Sequence, residues 1–427
     1  MIRNWTRSTF TALSDGQYRT LWIGTTIAFL AFAMSNVAQG VVAFDITGKN
    51  GQVGIVALGQ GVATIITAPF GGVIADRVSK RRLLLIGQTL ICLNFTIIGI
   101  TIFTGHITIP LLFTSTFVMG LVFSFIAPAR QAWIGDLLKG PKLTNGIALQ
   151  QVAMTATRIV GPWLAVALVS IPGIGTGGTY IAMGVLIAVV VATLAQLQSS
   201  KPAANVNRPS PLADMKLGVE HVAQRPRLAL LAVSFLFVVM LGFSYNVLLP
   251  GFLHNELGRS TRDMGWMLGI AGVAGLIATV SVAGSANSKH AWKLLLMGCL
   301  LLGIGLMLLS IANSFLQVLL VMFLIGGGSS IFQMLNNALI MQESDPAFYG
   351  RVMSLTMLAW GFNSLAGYPI GAFADASGER AALLVMGISV IAVTVVTMAV
   401  YHALSRQRSV RGATMGQAVE ATGTPNP

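Results

Sequence analysis

The sequence predicts an all-α membrane protein whose twelve transmembrane helices form two pseudo-symmetric halves of six helices each. Three observations lead to this prediction: charged residues are few, long apolar stretches are numerous, and the second half of the chain partly repeats the first. Of the 427 residues, 55% are hydrophobic and only 9% are charged, whereas soluble proteins carry about 25% charged residues. Because backbone groups in lipid must be paired within the spanning segment, the apolar stretches are expected to be helices.

Twelve apolar stretches of bilayer-crossing length, roughly 20 residues each, follow one another along the chain. The first is longer than the roughly 7–15 apolar residues of a signal-peptide core, so we expect it to be the first span. The predicted spans cover residues 20–45, 52–75, 83–104, 107–128, 145–171, 177–198, 229–253, 264–285, 292–313, 315–341, 352–375 and 380–403. An even number of spans places both chain ends on the same side.

The positive charge is distributed unevenly between the two sides of this predicted bundle. Of the 26 Lys and Arg residues, Lys49, Arg259, Arg262 and Arg380 fall on one side and Arg158 falls inside a span, which leaves 21 on the side of the termini. The positive-inside rule therefore predicts a multi-pass protein of the cell inner or plasma membrane with both termini in the cytoplasm. Because basic cytoplasmic loops explain the net charge of +13, no nucleic-acid partner is expected.

Composition divides the chain into four parts. The longest polar break, 199–227, begins rich in Ser and Pro and then carries Leu212, Met215, Val219 and Val222 at helical spacing. This pattern predicts a cytoplasmic linker with a short amphipathic helix on the inner membrane face. The linker joins an N-terminal six-helix half, 1–198, to a C-terminal six-helix half, 228–404. The polar residues 405–427 are predicted to form a disordered cytoplasmic tail.

The two halves resemble each other in sequence. Residues 82–87, Arg-Leu-Leu-Leu-Ile-Gly, align with residues 293–298, Lys-Leu-Leu-Leu-Met-Gly, and residues 145–162 resemble residues 351–369. One class of secondary transporters is built from two such repeats, with the substrate near the bilayer midplane between them. The repeat therefore favours this architecture.

A short polar loop between spans 2 and 3 combines a glycine, an acid and several bases. It resembles the cytoplasmic signature loop of the major facilitator superfamily, G-x-x-x-D-R-x-G-R-K/R, and departs from it at Ser79, where that family prefers glycine. The matching positions are Gly72, Asp76, Arg77, Lys80 and Arg81.

Further segments extend this resemblance to about residues 14–404. They are 17–24, 45–48, 128–132, 158–162 and 350–354. Together they resemble the drug and siderophore exporter branch of the superfamily, which includes the enterobactin exporter and macrolide efflux pumps. The resemblance implies a proton-coupled exporter of an amphiphilic small molecule. A lysophospholipid flippase of the same fold is the alternative within transport.

The resemblance also implies a gating role for the signature loop. Asp76 would face a helix N-terminus or a base in one conformation and release it in the other. Arg130, at the inner end of span 4, is the expected charged neighbour of this loop, together with Arg77, Lys80 and Arg81. The alternative is a basic loop that only sets the topology and does not switch.

Arg158 is the only base predicted deep inside a span. A charge there is costly unless it faces a cavity or a partner, so it is a candidate for substrate contact or ion coupling, with a structural ion pair as the alternative. The segment 158–162 resembles a shortened antiporter motif, but Thr157 and Ala165 stand where that motif has glycines.

Other polar residues are candidates for the transport path. Asp45 ends span 1 and Asp375 ends span 11 on the outer side, where either could carry a proton, close an outer gate or be an ordinary helix-end acid. Spans 1, 4, 7 and 10 line the cavity in the resembled family. Asn36, Gln39 and Gln333 are therefore candidates for lining it, and helix-to-helix hydrogen bonding is the alternative.

Several functions are disfavoured because their motifs are missing. The chain has no G-x-x-x-x-G-K-[ST] loop, no H-E-x-x-H, no G-x-S-x-G and no Cys/His metal spacing. We therefore expect no enzyme, no metal and no cofactor. An enzyme would need paired catalytic groups converging at one membrane depth, and the sequence shows none. A polytopic membrane enzyme or a non-transporting receptor is the alternative from another class. The expected partners are a small-molecule substrate, protons and the lipid bilayer, and the chain is expected to act as a monomer.

Overall fold

The computed structural model describes residues 11–198, 211–285, 288, 290–345 and 348–422, apart from the side chains of 68–69, 71–77, 211–212 and 406–422. Within these residues the secondary structure is helical. The N-terminal part contains α1 (Gly16–Thr47), α2 (Asn50–Arg77), α3 (Lys80–Phe103), α4 (Ile109–Leu137), α5 (Pro141–Ser170) and α6 (Gly175–Ala195). The short helix α7 (Pro211–Ala223) follows, inside the predicted linker.

The C-terminal part repeats the pattern of long antiparallel helices. It contains α8 (Pro226–Gly242), α9 (Met264–Val282), α10 (Ala291–Ile311), α11 (Phe315–Glu343), α12 (Tyr349–Ser377) and α13 (Glu379–Thr422). Short 3₁₀, α and π turns extend α8 as far as Glu256. Each predicted span overlaps one of the long helices, and the prediction of an all-α membrane fold is confirmed.

Ten of the described helical segments are long and apolar enough to cross a membrane by length and composition. The other two predicted spans coincide with α2 and α12, which are 28 and 29 residues long. We call the face of the bundle with the α1–α2 and α12–α13 connections the distal end. The opposite face, with the α2–α3 and α4–α5 connections, is the proximal end.

Three of the long helices begin at side-chain caps. The Asp15 side chain accepts a hydrogen bond from the Tyr18 amide at the start of α1. Ser79 accepts one from the Arg82 amide at the start of α3. Ser314 and Gln317 cap each other at the start of α11. These side chains pair N–H groups that would otherwise lack partners at a helix start.

Two apolar cores lie in the two parts of the chain. One is built from α1 to α6 around large buried side chains such as Tyr18, Phe95 and Trp133. The other is built from α7 to α13 around Phe235 and Phe332. Two residues of the C-terminal part, the buried Val247 and the partly buried Leu268, pack against the N-terminal core. The two cores therefore divide the chain between α6 and α7.

The halves meet along two helix pairs in which glycines allow close approach. Gly54 of α2 lies against Gly367 of α12, and Gly61 lies against Gly361 and Ser364. We call this contact the α2–α12 seam. Small residues at such spacing allow two membrane helices to pack backbone to backbone.

The second pair is α5 and α9. Gly265 and Gly269 of α9 lie against Val166 and Trp163 of α5. Trp163 also contacts Trp266, with the ring centroids 5.9 Å apart. Both pairs run from the distal end towards the middle of the bundle.

The helix α7 is attached to the C-terminal half. Arg351 of α12 donates to the Asp214 Oδ1 from Nε at 3.0 Å and from Nη2 at 2.7 Å. The His221 ring stacks on Phe348 with centroids 4.0 Å apart. Gly218 lies beside the Arg351 Cβ, so α7 approaches α12 closely at this point.

The face of α7 that packs against the C-terminal half carries polar as well as apolar residues, and the side chain of Leu212 lies outside the described residues. Gly218, His221 and Val222 are buried, whereas Val219 is 50% exposed. An ion pair and a ring stack hold α7 against α12 and Phe348. The spacing of apolar residues did not predict these contacts. Helical backbone also continues past Ser405 to Thr422, where we predicted a disordered tail. This segment contains good helix formers such as Ala413, Gln417 and Ala418.

Candidate transport site and gates

The distal end of the bundle is closed by polar contacts between the halves. The Asp375 carboxylate of α12 accepts hydrogen bonds from the amides of Asn50 at 2.7 Å and Gly51 at 2.8 Å, the first two residues of α2. The Asn50 side chain donates to Asp375 at 3.3 Å and to Glu379 at 2.8 Å. Asn255 donates to the same Glu379 oxygen at 2.6 Å. We call this cluster, Asn50, Asn255, Asp375 and Glu379, the distal latch.

The distal latch places a carboxylate against a helix N-terminus across the interface. Backbone N–H groups and the helix dipole both favour a negative charge at that position. Asp375 of one half therefore stabilises the start of α2 in the other half. The sequence did not identify the other three members of the latch, Asn50, Asn255 and Glu379. They come from separate parts of the chain that become neighbours only on folding.

Asp45 lies beside this latch and also joins the two halves. Its Oδ1 accepts a hydrogen bond from the Thr261 hydroxyl at 2.9 Å. Next to it, Phe44 meets the His254 ring edge-on with centroids 5.9 Å apart. The hydrogen bonds that we describe between the halves all lie at the distal end. Both acids, Asp45 and Asp375, thus accept hydrogen bonds from the other half at the distal end.

The signature loop at the proximal end is partly explained by contacts inside the N-terminal half. Lys80, which is 5% exposed, forms an ion pair with Asp136 of α4. Arg81 donates to the carbonyl oxygens of Leu194, at 3.3 Å, and Ala195, at the end of α6. Lys80 and Arg81 therefore tie the start of α3 to α4 and α6. The side chains of Asp76 and Arg77, and the surroundings of Gly72, lie outside the described part of the structure.

Ser79 accounts for the departure of this loop from the signature. Its backbone is not left-handed, since φ is −55°, and its hydroxyl caps α3. A glycine would keep the turn and lose the cap, so serine is compatible with this loop.

Arg130 contacts an aromatic ring among the described residues. It is 4% exposed in α4 and lies over the Phe29 ring, with its central carbon 4.9 Å from the ring centroid. Within the described part of the chain it forms no ion pair or hydrogen bond. A contact with the Asp76 side chain, which lies outside the described residues, stays a prediction.

Arg158 lies on a polar face of α5. One face of α5 carries Gln151, Thr155 and Arg158, which are spaced by four and three residues. The other side carries the exposed apolar residues Val152 and Val160. Arg158 is itself exposed, and its guanidinium forms no hydrogen bond or ion pair with any residue the structure describes. The predicted structural ion pair is therefore not found among these residues. The polar face is the one suited to an aqueous path, because lipid favours the valine face.

Three further candidates differ in their surroundings. Asn36 of α1 is exposed between buried neighbours, and Gln39 and Gln333 are partly buried. None of the three forms a hydrogen bond within the described chain, so helix-to-helix hydrogen bonding does not account for them there. Asn36 lies one and two turns from Phe32 and Phe29 on the same face of α1.

No group of three or more His, Cys, Asp or Glu side chains that could hold a metal ion occurs among the residues that the structure describes. The two cysteines, Cys92 and Cys299, are free thiols.

Two halves of antiparallel membrane helices, closed at one end around a polar interior face, define a multi-pass membrane transporter. The family model for the Major Facilitator Superfamily matches residues 21–368. The chain belongs to this superfamily. Its members are in general transporters and not enzymes.

Two curated relatives are similar to the chain over much of its length. The staphyloferrin A transporter of Staphylococcus aureus (strain NCTC 8325 / PS 47) is 23% identical over 384 residues, which cover 86% of this chain and 93% of the relative. Multidrug resistance protein 2 of Bacillus subtilis (strain 168) is 23% identical over 279 residues, which cover 61% of this chain and 64% of the relative.

Solved structures resemble the fold at lower identity. The nucleoside transporter NupG has a TM-score of 0.73 at 14% identity, covering 90% of this chain and 99% of that one. A POT family transporter in complex with a thioalcohol-conjugated peptide has a TM-score of 0.71 at 14% identity, covering 89% and 96%. At this identity the likeness defines the fold alone.

Proposed function

We propose that this protein is a proton-coupled exporter that moves an amphiphilic small molecule, such as a siderophore or a drug, out of the cell. Alternating access between the two halves would carry the molecule across the membrane. The names of the two curated relatives, a siderophore transporter and a multidrug resistance protein, support this class of substrate. The observation that carries the proposal is the distal latch, because its hydrogen bonds join the two halves. Opening of the distal end would break these bonds together.

The latch and the signature loop would act as alternate gates of the same helix pair. Asp375, at the end of α12, caps the start of α2 in the present conformation. Asp76, at the opposite end of α2, would face the start of α12 when the proximal end closes. One acid at each end of the α2–α12 pair would then stabilise one of the two conformations.

The decisive experiment is a flux measurement in vesicles reconstituted with the purified protein. Siderophores, drugs and lysophospholipids are added in turn, and proton movement is recorded with each. The proposal requires substrate-dependent proton flux with a siderophore or a drug. Flux or flipping with lysophospholipids alone would support the flippase instead, and no response to any of the three would contradict a secondary transporter of these molecules.

The topology can be tested separately. We expect both termini and the 199–227 linker to be cytoplasmic, because 21 of the 26 basic residues lie on that side. An impermeant thiol reagent should therefore leave the variant Ser210→Cys unlabelled in intact cells and label it after permeabilisation. A cysteine at Lys49, in the α1–α2 connection, is the matched control that should react in intact cells. Labelling of Ser210→Cys in intact cells would overturn the orientation.

The two gate acids should respond in opposite directions. A cysteine at Asn36 reports on access from outside, because an impermeant reagent reaches the interior only when the distal end opens. We expect Asp375→Asn to raise its labelling rate, since a neutral amide caps α2 less well and has one acceptor oxygen in place of the two that Asp375 uses. We expect Asp76→Asn to lower the labelling rate and to reduce transport, with insertion and expression near normal.

The control for this pair is Asp263→Asn. Asp263 pairs with Arg259 at 2.7 Å inside the distal loop of one half, so its loss leaves the contact between halves intact. Equal labelling in all three variants would show that neither acid controls a gate. Full transport activity of Asp76→Asn would reduce that residue to a determinant of topology.

A further inference from the structure

The start of α12 lacks the capping acid that the start of α2 has. At the distal end, the Asp375 carboxylate accepts hydrogen bonds from the first two amides of α2. At the proximal end, α12 begins at Tyr349, its N-cap residue Phe348 forms no side-chain cap, and its first turn contains no acid. That turn contains a base, Arg351, although a positive charge near a helix N-terminus is unfavourable. The start of α12 therefore favours an acid from another part of the chain.

The helix α7 supplies such an acid in the present conformation. Arg351 donates to the Asp214 Oδ1 from both Nε and Nη2, and the two side chains are 30% and 28% exposed. A Cβ atom on Gly218 would lie 3.1 Å from the Arg351 Cβ, so the backbone of α7 passes close to the first turn of α12. The Phe348 ring contacts both the His221 ring and the Arg351 guanidinium, whose central carbon is 5.1 Å from the ring centroid. The base at the start of α12 is therefore neutralised and partly covered by α7.

A second anchor fixes the chain just after α7. Arg225 donates to the Asp345 Oδ2 at 2.5 Å and to the Glu343 carbonyl oxygen at 2.9 Å. Glu343 is the last residue of α11, so this anchor also lies in the C-terminal half. In addition, α7 lies against α2 of the N-terminal half. The helix is therefore fastened to one half while it touches the other.

The register of the α2–α12 seam leads Asp76 to the same place. Gly61 of α2 faces Gly361 of the antiparallel helix α12. Asp76 lies 15 residues after Gly61, at the last position but one of α2. A step of 15 residues from Gly361 in the opposite direction leads to the segment just before Tyr349. When α2 and α12 come together at the proximal end, Asp76 therefore meets the helix start whose base Asp214 now holds.

We propose that Asp214 and Asp76 compete for Arg351, so that α7 acts as a strap that opposes closure of the proximal end. While Asp214 holds Arg351, the approach of Asp76 adds a second acid to a base that is already neutralised. When α7 moves away, Arg351 and the helix start both favour Asp76. The inference rests on the two alternate gates of the proposed function and adds a control on the balance between them.

The first test uses the access reporter, a cysteine at Asn36 that an impermeant reagent reaches only when the distal end opens. We expect Asp214→Asn to raise its labelling rate from outside, because the freed Arg351 stabilises the closed proximal end through Asp76. The expected increase is about twofold to fivefold, because a partly exposed charge pair has a modest strength. The rate is corrected for labelling of the two native cysteines in the chain without the reporter.

A double variant shows whether Asp76 is the competitor. In the Asp76→Asn background, Asp214→Asn should leave the labelling rate unchanged, because the acid that would take Arg351 is missing. A purely structural role of Asp214 would give the same change in both backgrounds and would overturn the competition. Glu220→Gln is the matched control, because it removes an exposed acid of the same helix whose partner is Lys216, at 3.8 Å. Its labelling rate should equal that of the parent chain.

The outcomes separate this proposal from the proposed function. An unchanged labelling rate in Asp214→Asn, in a protein that responds to Asp76→Asn, would overturn the strap and leave the two gates intact. No response to Asp76→Asn would contradict the gates themselves, and the competition with them. Because labelling measures access and not transport, a failure to find flux with any tested substrate would leave the result unaffected.

A second variant loosens α7 without removing Asp214. His221→Ala removes the ring stack on Phe348, and it decides the question if Asp214→Asn does not insert into the membrane. We expect His221→Ala to raise the labelling rate, and we expect this increase to require Asp76. Equal labelling of His221→Ala and the parent chain would overturn the strap.

Discussion

Arg158→Ala is expected to abolish substrate-driven transport while leaving membrane insertion and folding near normal. Arg158 lies 17 residues from the start and 12 residues from the end of α5, about 26 Å and 18 Å along the helix, so it is close to the middle of the membrane. It forms no contact with a described acid that its removal would leave uncompensated. Its loss should therefore affect a bound molecule and not the protein core.

The size of this effect follows from the role of the charge. Removing one partner of a desolvated charge pair costs about 2–5 kcal/mol, so substrate affinity should fall by more than about tenfold. Flux in reconstituted vesicles measures the loss. Arg262→Ala, which removes an exposed distal charge, is the matched control and should transport normally.

Arg158→Lys separates two possible roles. Lysine keeps the charge but lacks the planar fork of the guanidinium. If Arg158 recognises an anion with two parallel hydrogen bonds, the lysine variant should fail almost as badly as the alanine variant. If it only balances charge, lysine should restore most of the flux. Unchanged flux in Arg158→Ala would remove the residue from the transport site.

Gly54→Val is expected to prevent the distal end from closing and to stop transport. A Cβ atom at Gly54 would lie 2.5 Å from the Gly367 carbonyl oxygen and 2.6 Å from the Tyr368 Cα. These are backbone atoms of α12, so the neighbour cannot move aside by changing a rotamer. The α2–α12 seam would have to separate, and with it the distal latch that lies at its end.

Labelling of a cysteine at Asn36 and vesicle flux together test this prediction. We expect Gly54→Val to show high labelling from outside and little flux. Gly135→Val is the control, because a Cβ at Gly135 would meet nothing within 4 Å. Normal flux through Gly54→Val would show that close contact along the seam is not part of the transport cycle.

The signature loop shows how much of the candidate site could be predicted from the sequence. Its motif correctly indicated the superfamily and a turn between two spans. It could not show that Lys80 would pair with Asp136 or that Arg81 would reach the end of α6, because those partners lie 56 and more than 100 residues away. In the present conformation both contacts lie inside one half, and the motif gave no sign of them.

Arg130 illustrates the opposite case. The sequence placed it at the inner end of span 4 and suggested a charged neighbour. Among the described residues its surroundings are a phenyl ring from α1 and a glutamine from α3. The identity of neighbours across a helical bundle depends on helix rotation, which the apolar composition of a membrane span leaves nearly undetermined.

The sequence by itself determined the membrane environment, the positions of the helical spans and the superfamily. Apolar length and charge asymmetry depend only on local composition, and the bilayer imposes them along the chain. Tertiary structure alone decided which polar groups meet, such as Asp375 with the start of α2, and which cation stays unpaired. Small residues let helices from separate halves approach. The contact of Asp375 with the start of α2 joins residues more than 300 positions apart. No local pattern records such contacts, because they arise only when the two halves pack together.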